Sequence, residues 1–376
     1  MPKQVRLRRG TTAQHATFTG ALGEVTFDTD RKSLVCHDGA TAGGFPLGLD
    51  VPKPVPTGRL LWVDQVNGNN TTAVRGDLRF PYLTLTAAKT ASVFGDTIVV
   101  LPGTYDERNL FKTGINWHFL AGAKVVSTAA ANGAIFDDSA TGTNGNVVCR
   151  ITGDGEFINN SADALSWAVL ISKSGSVVSI DAQFIGAGTR GCVRCTNGNT
   201  RIHAKLITSG GPRAVELYGG TNFVRADEIT SSGGDGLTLG GGANVVESNL
   251  ISSTAGTGLA CSAGTNIVTA REIRSSAGYG VHHAFVEDPF TLTVNHARIV
   301  STFAAAGGKA VQVDGSDDLT LKDCVLVSSV PAATSIDGSA PVNVRLYGST
   351  MANKAAGVNV TFLTGSTRFE VDANVR

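Results

Sequence analysis

The sequence predicts an all-β protein, a right-handed parallel β-helix of about 22-residue coils behind a small N-terminal β-hairpin module. Three observations carry this prediction: a 22-residue internal repeat, period-two alternation of apolar or small residues inside each repeat, and glycine-rich corners between repeats.

The repeat shows when segments are set under one another from residue 202. Ile202-His-Ala-Lys-Leu-Ile207 returns as Val224-Arg-Ala-Asp-Glu-Ile229, Val246-Glu-Ser-Asn-Leu-Ile251 and Val268-Thr-Ala-Arg-Glu-Ile273, each 22 residues on. The frame extends back to Ile180-Asp-Ala-Gln-Phe-Ile185. Forward, with steps of 26 and 27 residues, it reaches Val294-Asn-His-Ala-Arg-Ile299 and Leu321-Lys-Asp-Cys-Val-Leu326. Alternation such as Ile202, Ala204, Leu206 describes strands with one buried face, and helical spacing does not fit. The inward set is expected to be Ile180, Ile202, Val224, Val246 and Val268, together with Ile185, Ile207, Ile229, Ile251 and Ile273.

Gly-Gly, Ser-Gly-Gly and Asn-Gly clusters between strands supply corners at positive φ, which glycine adopts at little cost. Helical arrays of about 33 to 34 residues need long helices, and leucine-rich repeats need far more leucine, so a parallel β-helix is left. Its coils stack about 4.8 Å apart and therefore place like residues in ladders. Asn222, Asn244 and Asn266, each 22 from the next, read as a buried ladder that satisfies its own amides.

An open solenoid end presents unpaired strand edges and apolar core, so it needs a cap. Residues 80–105 supply one: Thr84 to Val93 reads as a short amphipathic helix, followed by Gly95-Asp-Thr-Ile-Val-Val-Leu-Pro-Gly-Thr-Tyr105 as turn, buried strand and turn. This pattern resembles the first coil of the pectin-lyase-like superfamily, where a helix covers the mouth of the β-helix. The resemblance covers residues 60 to about 330 and implies the fold but no chemistry, because that superfamily holds lyases, hydrolases and inert fibres. The solenoid is expected to run from residue 80 to about 365 in roughly ten coils.

Composition narrows the function classes. Glycine is 46 of 376 residues and proline only 11, which means many turns and not disorder. Lys plus Arg equals Asp plus Glu at 31 each, so no whole-protein field favours nucleic acid or an anionic membrane. Six well-spaced cysteines in a long chain read as reduced thiols. Met1-Pro2-Lys3-Gln4 is followed by no apolar stretch, and no run approaches 18 apolar residues, so neither a signal peptide nor membrane insertion is expected.

Residues 1–50 differ in character. Arg6, Arg8 and Arg9 precede Gly10-Thr11-Thr12-Ala13, and the apolar runs Gly23 to Asp28 and Ser33 to His37 flank a polar turn, which is a β-hairpin signature. Leu7-Arg-Arg-Gly-Thr-Thr12, Gly23-Glu-Val-Thr-Phe-Asp28, His37-Asp38-Gly39 and Phe45-Pro46-Leu47 together resemble the N-terminal module of phage tail fibres and tropism determinants. The usual Gly-Asp-Gly stands here as His37-Asp38-Gly39, a departure expected to leave the turn intact. The resemblance implies a virion protein, a tail fibre or tailspike, that assembles as a homotrimer. It would seat on a phage tail, baseplate or capsid protein through residues 1–50, with Arg6, Arg8, Arg9 and Asp38 as attachment residues, and meet a host-surface glycan or protein. Val51-Pro-Lys-Pro-Val-Pro56 lies in a stiff linker over 51–58, the first coil and capping helix occupy 59–105, and the β-helix with its C-terminal end fills 106–376.

Reactive constellations are sparse, and no cofactor is implied. Cys192-Val-Arg-Cys195 has knuckle spacing but no second ligand pair, and His282-His283 on a strand point to opposite faces. Asp314-Gly-Ser-Asp-Asp318 has the composition of a solvated corner, so no metal site is expected. Glu228 and Glu272 share a repeat position two coils apart, about 9.6 Å, with Leu250 between them, near the outer limit for an inverting glycosidase pair. They are the candidates for the alternative reading, a polysaccharide depolymerase (glycosidase or lyase); a further alternative is an appendage without receptor binding. Receptor contact is expected on the loops that lengthen the repeat, around 280–292, 302–309 and 328–341, with Phe285, Asp288 and Phe290 as contact residues. The aromatic side chains counted in the repeats are Tyr218, Phe223, Tyr279, Phe285 and Phe290.

Overall fold

The computed structural model describes residues 7–30, 33–47, 59–128, 133–139, 146–161, 167–284, 291–303, 309–314, 318–328, 336–338, 343–347, 349–352, 360–362 and 368–371. The chain forms two compact units, residues 1–57 and 58–376. Arg6, the proline-rich segment 51–58, and Phe285, Asp288 and Phe290 lie outside the described residues.

The first unit is a four-stranded sheet. Strands β2 (Val25–Asp28) and β3 (Ser33–Cys36) form the expected antiparallel hairpin, and β4 (Phe45–Leu47) pairs antiparallel with β3. Strand β1 (Arg8–Gly10) adds to the other edge in parallel, so the chain must cross over between β1 and β2. The crossover contains α1 (Thr12–Ala16), started by a capping box in which Thr11 and Gln14 satisfy each other's backbone N–H groups. Neither the parallel pairing nor α1 was legible as a pattern, because a five-residue helix has no period to show.

The second unit is a parallel β-solenoid of about 13 turns. Its coils begin before residue 80: β5 (Leu60–Val63) already pairs in parallel with β6 (Thr97–Val100), which adds turns to the ten expected. The cap is α2 (Leu85–Ala91), shorter than the expected helix, with Leu85 and Ala88 buried against the core. Thr84 caps it from within, and the Glu107 carboxylate accepts from the Leu85 and Thr86 N–H groups, both at 2.6 Å, tying the helix to the coil behind it. Asp96, fully buried in the turn before β6, accepts from the Arg59 and Val93 N–H groups and from the Arg75 guanidinium.

In the regular coils the register is the sequence repeat. Ile180 pairs with Ile202, then Val224, Val246, Val268, Val294 and Leu321. All ten residues assigned to the interior are 0 % exposed. One detail differs. Ala204 and Ile207 both point inward, so the alternation slips between them and Leu206 turns outward, half-buried. That slip is the corner between two faces of the coil, where a strict period of two cannot continue.

The asparagine ladder forms as expected. Asn222 donates to Asn244 at 2.8 Å, Asn244 donates to Asn266 at 2.7 Å, and each second amide hydrogen reaches a corner carbonyl. Gly220, Gly242 and Gly264 precede these residues at φ of 76°, 76° and 87°, and a Cβ there would strike the carbonyl of the coil below. A serine ladder, Ser209, Ser231, Ser253, Ser275 and Ser301, caps the opposite corner by donating to carbonyls of the neighbouring coil.

Candidate functional site

The module around the hairpin is organised by two buried histidines. The Gly20 N–H donates to His37 Nδ1 at 3.3 Å, which leaves the ring hydrogen on Nε2 to donate to Thr26 Oγ1 at 2.9 Å. The Thr26 hydroxyl then donates to His15 Nε2 at 2.8 Å, and His15 Nδ1–H donates to the Thr11 carbonyl at 3.0 Å. The relay runs from the hairpin to the cap of α1 and fixes both tautomers. His37, expected to be a turn residue, is thus part of the module's buried polar core.

Of the expected attachment residues, Arg8 pairs with Glu24 at 3.1 Å and lies 5.1 Å over the Phe18 ring, while Arg9 is exposed. Arg8, Arg9, Gln14, His15, Phe18 and Thr26 border a cavity of about 270 Å³. Asp38 is exposed, and its oxygens are taken by its own loop: Ala40 N–H at 2.9 Å, Thr41 N–H at 2.7 Å and the Thr41 hydroxyl at 2.7 Å. These bonds, Thr41 N–H first, hold its carboxyl down at about 2.

On the solenoid, one outward column runs Glu156, Phe184, Leu206, Glu228, Leu250, Glu272, Arg298. Glu228 and Glu272 therefore do share a position with Leu250 between them. Glu228 is exposed, whereas both Glu272 oxygens are engaged, by Arg298 at 3.3 Å and Arg274 at 3.8 Å.

Beside this column lie three adjoining concavities. The first, about 520 Å³, is bordered by Lys124, Glu156, Phe184, Lys205, Asp227 and Glu228. The second, about 380 Å³, shares Ile158 and Phe184 with it and is walled by the hydroxyls of Thr208, Ser232 and Thr254. The third, about 300 Å³, shares Asp227 and adds Arg225, Glu247, Arg271 and His296. Phe184 sits where two of them meet. Its half-buried ring packs edge-on against Gly186, whose added Cβ would be 2.4 Å from ring atom Cε1, and it borders both concavities. Sequence reasoning passed over Phe184, although the register signal was present: it stands 44 residues before Glu228 and shares its outward position.

Other sequence-flagged residues are structural. Cys192 and Cys195 point into the core, where burial pushes the Cys195 thiol up to about 11, and all six cysteines are free. His282 faces outward against Asp314 at 2.9 Å, and His283 faces inward, fully buried. Among the described residues no cluster of three or more His, Cys, Asp or Glu side chains could hold a metal ion. No helix among them is long and apolar enough to cross a membrane.

Fold and module together define a class: a parallel β-solenoid protein with a compact N-terminal β-module. Residues 5–41 match the family described as Major tropism determinant N-terminal domain, so the N-terminus is of the tropism-determinant type. The chain is also 43 % identical over 104 residues to a "Tail fiber receptor-binding protein" of Bordetella phage BPP-1, a match covering 27 % of this chain and 23 % of that protein. Two solved structures, the "Major Tropism Determinant I1 Variant" and "M1 Variant", are each 69 % identical over 12 % of this chain and 12 % of theirs, at a TM-score of 0.12.

Proposed function

We propose that this protein is a bacteriophage tail fibre that seats on the virion through its N-terminal module and presents its β-solenoid for binding to the host surface. The observation that carries this reading is the joining, in one chain, of a tropism-determinant-type N-terminus to a long parallel β-solenoid. The N-terminal fitting would hold the particle, and the solenoid would set the target. The fibre works as a homotrimer assembled in the host cytoplasm. Supporting association of copies, one outward face of the regular coils carries a short apolar stripe, Phe223, Val245 and Ile267. Thr221, Ala243 and Thr265 stand on one side of it and Arg225 and Glu247 on the other, with the Arg201 guanidinium 5.4 Å over the Phe223 ring. Ile267 is 41 % exposed.

The purified full chain should occupy host-cell receptors and block phage adsorption, and light scattering should report three chains per particle. Val245→Lys with Ile267→Lys should break the trimer without unfolding the coils. A chain that leaves adsorption untouched at saturating concentration overturns receptor binding, and a stable monomer overturns the trimer.

A further inference from the structure

We infer that the groove through Phe184 is a binding site for a neutral oligosaccharide, with the Phe184 ring as its stacking platform. The inference rests on the receptor-binding reading and names the site and ligand class for it.

Three features converge. The first is the ring. An outward phenylalanine on a β-solenoid normally either packs against a neighbouring side chain or is costly to leave in water. Phe184 is outward and half-buried, packs its ring edge on Gly186, and lines both of two adjoining concavities. A pyranose ring presents a face of C–H groups of matching size, and stacking would remove both surfaces from water.

The second feature is charge. The first and third concavities bring together Lys124, Lys205, Arg225 and Arg271 with Glu156, Asp227, Glu228 and Glu247. That is four cationic and four anionic groups, interleaved. Several are paired loosely across coils: Lys124 with Glu156 at 3.7 Å and Arg225 with Glu247 at 3.8 Å. Such distances are wider than a direct hydrogen bond, so both partners keep hydrogen-bonding capacity for sugar hydroxyls, which can accept from the cation and donate to the carboxylate. A polyanion would meet four carboxylates and a polycation four positive groups, so the wall discriminates against both. A neutral polyol is the chemistry that uses both signs.

The third feature is length. Lys124, Glu156, Phe184, Leu206 and Glu228 stand on successive coils, so the first concavity alone extends about 19 Å along the stack. The second continues with hydroxyl groups and no charge. The site is therefore a trough for a chain of several sugar rings.

The full-length protein is titrated against immobilised bacterial oligosaccharides of equal length, one set neutral (hexose and deoxyhexose) and one set anionic (uronate-containing). At least one neutral member should bind, with an affinity unchanged between low and high salt. Phe184→Ala should weaken it at least tenfold, as should Lys205→Gln combined with Glu228→Gln, a pair of exposed positions whose change leaves folding intact. Phe94→Ala, an exposed ring outside the three concavities, should not alter it. Binding confined to the anionic set, no binding to any neutral member, or binding indifferent to both groove variants overturns the inference. Adsorption blocking separates the two levels. If the native chain blocks phage adsorption and both groove variants block equally well, the groove is wrong and receptor binding stands; if the native chain does not block, the functional reading itself fails.

Discussion

The first coils of the solenoid and its regular coils solve one packing problem in two ways. Between residues 105 and 160 the interior is filled by large rings: Phe111, Trp117, Phe119, Phe136 and Phe157, all fully buried. Phe136 is the hub, meeting Phe111, Trp117, Phe119 and Phe157; Phe157 lies 4.9 Å from Phe119 and 5.0 Å from Phe136, both edge to face. Between residues 177 and 275 the interior holds no ring; isoleucine and valine stack on their own kind, with asparagine and serine ladders at the corners. The difference lies in coil length. Equal coils let each position meet its own copy, so one small residue type repeats. Unequal coils, such as the 34-residue step from Trp117 to Ile151, leave spaces that only shaped, non-repeating side chains fill.

The largest expected effect breaks the aromatic region. Phe157→Ala removes a fully buried ring packed edge to face on two others and should destabilise by about 3–5 kcal/mol. Because each coil contacts only its neighbours, the loss should appear in thermal unfolding as an early transition of the first coils, with the regular coils melting later. A single undivided shift of the whole melt would show instead that the two regions fold as one unit.

A smaller effect tests the one histidine in the interior ladder. His283 continues the inward column Leu217, Leu239, Cys261, and burial, with His282 adding to it, lowers its pKa to about 4. The unfolded chain binds this proton near 6.5 and the folded chain does not until about 4. Stability should therefore be full above about pH 6.5 and fall as pH drops towards 4, by up to about 3 kcal/mol. Denaturant unfolding across that range checks it, and His283→Leu should flatten the dependence. An unchanged slope in the variant would assign the acid sensitivity to other groups.

Next is Asn244→Ala. It strands the Asn222 amide hydrogen and the Asn266 carbonyl oxygen on either side of it, both in buried side chains, and should cost about 1–3 kcal/mol by denaturant midpoint. A loss within about 0.5 kcal/mol would mean that water enters the corner and replaces the rung.

This contrast also sets how far the sequence could be read. Val224 and Ile229 were legible because 22 residues on stood Val246 and Ile251, and the fold makes them neighbours for that reason. Phe157 and Phe136 have no such partner, and their meeting depends on the unequal coils between them. The His15–Thr26–His37 relay was hidden because it joins three elements through hydrogen bonds that leave no period. The candidate groove was half legible. Glu228 was placed by register, but Phe184 was passed over, since only the slip after Ala204 and its equivalents reveals that the position points outward.

The smallest effect tests the regular coils themselves. Ile229 lies between Ile207 below and Ile251 above, fully buried, in an unbroken run of isoleucine rungs from Ile185 to Ile299. Ile229→Val removes one methylene and keeps the branched shape, so its cost should be about 0.5–1.5 kcal/mol, read as a shift of the denaturant midpoint at constant slope. Adding Ile251→Val enlarges the same gap from the next coil. The two side chains touch, so the double variant should depart from the sum of the single losses, while Ile229→Val with Ile180→Val, two coils further away, should be additive. The sign of the departure is informative. A double loss smaller than the sum means that the coils close over the shared space, as a stack of equal rungs can. A double loss larger than the sum means that the ladder is packed as tightly as the ring cluster around Phe157, and the distinction between the two regions is then one of residue type and not of packing.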